Sequence, residues 1–215
     1  QMNDMNRKKK LIEIFFMKFF FLIFVILLQL QPFIIVMLLV TSIIIILCFK
    51  NEIIKIILPP KKNSFLYIIF FDIFLVVSVT VLYGYDSFAN ELDFNKYFFF
   101  LVLLLFYLFF SVIPQELIFR FLFFHRYTCY FNKYEFLLLN SLVFSLCHVI
   151  YLDIYIFLFA FLGNLLFTFN YMKNKSLLLV ISEHFLIGQT LIILGFFDNF
   201  NFSLIKKLYN LVLIN

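Results

Sequence analysis

Residues 97–124 read YFFFLVLLLFYLFFSVIPQELIFRFLFF, and only Glu116 and Arg120 in this run carry charge. The run is long enough to cross the roughly 30 Å hydrocarbon core of a bilayer as a helix. A charged side chain is costly at that depth, so an acid there points to function. Glu116 and Arg120 stand at i and i+4, which places them on one helix face and lets them pair. A structural ion pair near the end of a span explains this spacing as well as a reactive acid does.

Composition extends the reading to the whole chain. Of 215 residues, 65% are hydrophobic and 13% are charged, against about 25% charged in an ordinary soluble domain. A chain of this length cannot hide so much apolar surface in a water-soluble core, so its solvent is lipid. The 37 phenylalanines are assigned to packing and lipid contact. The net charge of +5 is scattered among apolar runs, with no basic domain, so nucleic acid is not an expected partner. Cys48, Cys129 and Cys147 lack redox or metal spacing and read as small hydrophobes.

The expected fold is all-α, a polytopic membrane bundle of about seven transmembrane helices. Spans are predicted near 11–30, 32–49, 65–83, 97–119, 135–152, 154–172 and 177–197. The first apolar run follows Arg7-Lys8-Lys9-Lys10, is too long for a signal sequence, and lacks a small-residue cleavage site, so it is read as a retained span. Lys50 to Ser64 reads as a loop. Pro114 predicts either a kink in the long run or a span followed by an interfacial helix.

Charge placement orients the bundle. With the N-terminus cytoplasmic, Lys50, Lys55, Lys61, Lys62, Arg120, Arg126, Lys133, Lys173 and Lys175 fall on the inside, and the acidic loop with Asp86, Glu91 and Asp93 falls outside. Three regions result: 1–96 with three N-terminal spans, 97–197 as the functional bundle, and 198–215 as an amphipathic tail. Lys206 and Lys207 in that tail break the inside rule and suggest that it lies on the surface.

Two more polar residues occur inside apolar runs. His148 follows Phe144 by four residues, and His184 precedes Gly188 by four. A lone buried His is more often a packing residue than a catalyst. Two of them downstream of a buried Glu suggest acid–base chemistry. His125 sits beside Arg126 and reads as interfacial.

In this order the motifs resemble the CAAX protease and bacteriocin-processing intramembrane endopeptidases. Those enzymes carry Glu-Glu-x-x-x-Arg, then Phe-x-x-x-His, then His-x-x-x-Asn. This chain has Gln115-Glu116 through Arg120, Phe144 through His148, and His184 through Gly188. The likeness covers about residues 97–197. It departs from the pattern twice, with Gln115 at the first Glu and Gly188 at the Asn. The resemblance implies peptide-bond hydrolysis at the membrane, with a carboxylate activating water and histidines orienting it and contacting the oxyanion. Glu116, His148 and His184 are the expected catalytic residues, with Gln115, Arg120, Phe144 and Gly188 supporting them. Since adjacent helix residues point about 100° apart, Glu116 can replace the acid missing at 115 only if the helix is rotated or kinked. The expected substrate is a membrane-associated peptide, prenylated or bearing a leader. No cofactor is expected, although His, His and Glu would make a chemically reasonable zinc set. The competing expectation is an inactive pseudoprotease that binds peptides or serves as an immunity factor.

Overall fold

The computed structural model describes residues 6–14, 31–57, 66–67, 69–74, 77, 101–102, 104–151 and 153–193. The expected first span, most of the third, the acidic loop and the 198–215 tail lie largely or wholly outside them. The described residues are helices joined by short turns, with no strand among them. Helix α1 covers residues 6–14, α2 Gln31–Ile56, α3 Leu104–Tyr130, α4 Lys133–Leu146, α5 Ile154–Asn174 and α6 Leu177–Ile193.

Three of the described helices are long and apolar enough to cross a membrane: α2 from Ile35, α3 and α5. Helix α6 is apolar but shorter. Two expected boundaries need correction. The segment after Phe49 is not a loop from its start: Phe49 leaves helical geometry at φ −128° and ψ 27°, and helix resumes to Ile56. Lys50 and Lys55 point out from that outer turn, where Phe49 packs on Phe121 at 5.3 Å. The segment read as a span over 135–152 is a helix only to Leu146, followed by a tight turn over Val149–Tyr151. At 1.5 Å per residue, α4 is too short to cross the hydrocarbon core alone. The seven-span expectation is therefore only roughly met.

Helix ends follow local chemistry. Asn132 caps α4 by accepting from the Glu135 N–H, and the Glu135 carboxylate accepts from the Asn132 N–H, a reciprocal pair that satisfies both donors. Asp153 caps α5 through the N–H groups of Tyr155 and Ile156. The α5–α6 turn passes through Lys175 at φ 54°, and Ser176 then accepts from Leu179 N–H to start α6. These short turns force α4, α5 and α6 to lie against one another.

Helix α3 runs through Pro114 without a break, because two widened turns flank it. Ile113 N–H bonds Leu108 O and Phe123 N–H bonds Ile118 O, each spanning five residues instead of four. Proline cannot donate a bond back to the preceding turn, and the first widened turn lies directly before it. Each wide turn takes in one extra residue and shifts the helix phase by about 100°. The result turns Glu116 and Arg120 fully inward.

The main core is aromatic. Phe119, Phe123, Phe124 and Phe136 pack with Phe144, Phe167 and Tyr171 at the α3–α4–α5 junction. Helix α1 closes one end of it. Ile14 joins this core, Arg7 pairs with Glu135, and Glu13 accepts from Arg126 at 2.7 Å and Tyr127 at 3.0 Å. An apolar groove of about 310 Å³ runs between α2, α3 and α6, lined by Ile53, Ile113, Leu117 and Ile181 among others.

Candidate active site

The site is built around Arg120. Its guanidinium donates to Glu116 Oε2 at 2.7 Å, to Thr168 Oγ1 at 2.8 Å, to Asn140 Oδ1 at 3.4 Å and to Asn164 Oδ1. Asn164 in turn donates to Asn140 Oδ1 at 2.9 Å. Arg120, Asn140, Asn164 and Thr168 are 0% exposed. A buried cation needs a counter-charge and filled hydrogen-bond positions; here Glu116 on α3 supplies the charge, and α4 and α5 supply neutral acceptors. The planar fork of arginine can bond several helices at once, which the point charge of lysine does not.

Glu116 is also 0% exposed. Its second oxygen, Oε1, lies 2.8 Å from His184 Nδ1 on α6. The carboxylate thus joins α3 to α6 and has a cationic or N–H partner on each oxygen. Because a carboxylate accepts, His184 carries a proton on Nδ1, and in the neutral ring Nε2 is then the nitrogen with the lone pair. The imidazole is fixed by rings on three sides. Phe167 stacks on it at 5.1 Å, Phe144 meets it edge-on at 5.6 Å, and Tyr107 meets it edge-on at 6.2 Å.

His148 sits just past the end of α4. Its Nδ1 lies 2.9 Å from Phe144 O, which as a carbonyl can only accept, so this ring too holds its proton on Nδ1. Its ring packs on Phe144 at 4.8 Å. Phe144 is therefore the ring that both imidazoles share. Among the described residues His148 makes no hydrogen bond to Glu116 or His184.

Gln115 bonds neither Glu116 nor His184 among the described residues. Its amide donates to Ser111 Oγ at 2.8 Å, one turn back on α3, and its buried Oε1 has no partner among the described residues. Gly188 is buried on α6, one turn beyond His184, and the Tyr107 hydroxyl stands over it. Beside His184, Glu183 is buried and accepts from Asn170 on α5, while its other oxygen has no partner among the described residues. Both oxygens of Glu116 are engaged by positive or N–H groups, and a metal ion placed there would meet the Arg120 charge. Among the described residues no group of three metal-ligating side chains converges.

Sequence reasoning passed over the Asn140, Asn164 and Thr168 clamp. The signal was present, since Asn164 and Thr168 stand at i and i+4 within an apolar span, but polar amides lack the charge that drew attention to Glu116. It also passed over Tyr107, which is one aromatic among many.

The arrangement offers an enclosed carboxylate, an imidazole oriented by it and an unshared imidazole nitrogen, all within a membrane bundle. That is a constellation suited to activating water. No curated protein and no solved structure matches the chain. Residues 97–188 match the family model described as Type II CAAX prenyl endopeptidase Rce1-like. They contain Glu116, Arg120, His148 and His184, and the apolar helices make the chain an integral membrane protein. Over residues 97–188 the chain is thus similar to the Rce1-like proteins of the CAAX protease and bacteriocin-processing family of intramembrane proteases.

Proposed function

We propose that the protein is an intramembrane endopeptidase that hydrolyses a peptide bond in a membrane-associated substrate. The observation that carries this reading is the 2.8 Å contact between Glu116 Oε1 and His184 Nδ1 in a buried site. Glu116 holds His184 in one tautomer and stabilises the imidazolium that forms when Nε2 takes a proton from water. The hydroxide attacks the peptide carbonyl carbon. The protonated His184 then gives its proton to the departing amine, leaving a carboxylic acid and an amine. Arg120 fixes Glu116 and balances its charge. His148, with its own Nε2 unshared, lies across Phe144 and orients the water or the substrate carbonyl.

This division of labour differs from a carboxylate that attacks water directly. With Gln115 in the first acidic position, the remaining acid is committed on both oxygens, so His184 is the group left to act as base. No cofactor is required, and the functional unit is residues 97–197. The bundle sits with its N-terminus in the cytoplasm, supported by the basic residues of α1 and the loops. The substrate class is a prenylated C-terminal peptide or a leader peptide, by analogy with the prenyl endopeptidase named by the matching family.

The test is cleavage of a quenched-fluorescent panel of prenylated and leader-type peptides by the protein in proteoliposomes. Glu116→Gln should lower the rate by up to about 10⁴, the loss that follows when the acid orienting a catalytic His is neutralised. Equal product release by wild type and Glu116→Gln would refute the reading. The complete enclosure of Glu116 favours a second one, a peptide-binding pseudoprotease. It predicts saturable binding of the same panel with no cleavage.

A further inference from the structure

Hydrolysis of a peptide bond places negative charge on the carbonyl oxygen, and an enclosed site needs a fixed donor to hold it. Beside the Glu116–His184 pair, Arg120 is committed to four acceptors and Gln115 donates to Ser111. The phenol of Tyr107 lies against the same imidazole. Its ring lies edge-on to His184 at 6.2 Å and stacks on Phe185, also at 6.2 Å. Its hydroxyl oxygen stands 1.9 Å from the point a Cβ on Gly188 would occupy, and its Cζ 2.8 Å from that point. No side chain fits at 188 while Tyr107 is there. The hydroxyl takes the place of a residue-188 side chain, one α6 turn from the base.

We propose that the Tyr107 hydroxyl is the hydrogen-bond donor to the substrate carbonyl oxygen during hydrolysis, and that residue 188 is glycine to admit it. This rests on the endopeptidase reading above. The phenol donates without giving up its proton. As water oxygen bonds the carbonyl carbon, its proton passes to His184 Nε2 and the C=O π pair moves onto oxygen, where Tyr107 O–H meets it. The pair returns as the C–N bond breaks, and the amine leaves with the proton from His184.

Tyr107→Phe keeps the ring, its contact with His184 and the space over Gly188, and removes only the O–H. In the proteoliposome assay it should lower kcat about 10²–10³-fold, the usual loss of one such donor, with KM within about twofold and the wild-type melting temperature kept. Tyr107→Ala combined with Gly188→Asn places an amide donor where the hydroxyl stood, and should recover at least tenfold over Tyr107→Ala alone. Wild-type kcat in Tyr107→Phe, with Glu116→Gln inactive, would overturn this proposal and leave the endopeptidase reading standing. A matching loss of stability and activity in Tyr107→Phe would also overturn it, since that marks a packing role. If wild type and Glu116→Gln release product alike, the endopeptidase reading fails and the donor role fails with it.

Discussion

Replacing Arg120 by Met tests the polar clamp that organises the site. The guanidinium is fully buried and bonds Glu116, Asn140, Asn164 and Thr168 from three helices. Met has a comparable apolar stem and no donors. The three uncharged partners lose less than Glu116 does, because Asn164 also bonds Asn140 at 2.9 Å and Thr168 at 3.3 Å. The main loss is the counter-charge of Glu116, which is left enclosed with His184 alone. Removing one partner of a buried ion pair costs about 3–5 kcal/mol. For a chain of this size each kcal/mol lowers the melting point by about 2–4 °C, so Arg120→Met should melt roughly 6–20 °C lower. The chain has no Trp, so the helical circular dichroism band in detergent micelles is the suitable probe. Replacing both partners, Glu116→Leu with Arg120→Met, removes the stranded charge and should recover at least half of the lost stability, although the protein stays inactive. A melting point within about 2 °C of wild type for Arg120→Met would refute the clamp. So would a double variant less stable than the single one, since the cost would then come from packing and not from an uncompensated carboxylate.

Further outcomes follow from the same geometry. His184→Gln keeps a hydrogen-bonding side chain beside Glu116 but has no basic nitrogen, so peptide cleavage should fall at least 10²-fold while micelle melting stays within a few degrees; full activity would exclude His184 as the base. Glu183→Gln removes a buried acid with an oxygen that has no partner among the described residues, while an acceptor remains for Asn170, and should melt at or above the wild-type temperature, by up to about 2 kcal/mol of stability; a clear loss would show a missing partner for that oxygen. Treatment with 1,10-phenanthroline should leave cleavage within twofold, because Arg120 and His184 occupy both oxygens of Glu116; loss of activity restored by zinc would show metal dependence. Glu13→Ala removes a partly exposed pair with Arg126 and should cost no more than about 1 kcal/mol.

Much of the fold was legible because lipid imposes a coarse rule. Unbroken apolar length marked α2, α3 and α5, and Gln31-Pro32 marked the start of α2. Where length alone decided, the reading slipped. The end of α4 at Leu146 has no breaker residue in an apolar run that continues past it, and the helix restarting after Phe49 crosses two lysines that resemble a loop. Pro114 signalled a disturbance correctly, but its form, two widened turns within one continuous helix, depends on how α3 packs against its neighbours.

The sequence by itself determined the solvent, the helical class and the short list of polar groups that lipid must enclose, because the free energy of burying charge is large wherever a span places it. It also established that Glu116 and Arg120 share a face, since helix periodicity is local. Which of two adjacent residues, Gln115 or Glu116, meets Arg120 and His184 was a matter for tertiary structure. A one-residue change of phase costs little locally and is set by the packing of α3 against α4, α5 and α6. The same holds for the Glu116–His184 pair, the clamp from α4 and α5, and the seat of Tyr107 over Gly188. Each joins residues distant in the chain through contacts of a few ångströms, a precision that no spacing along the chain encodes.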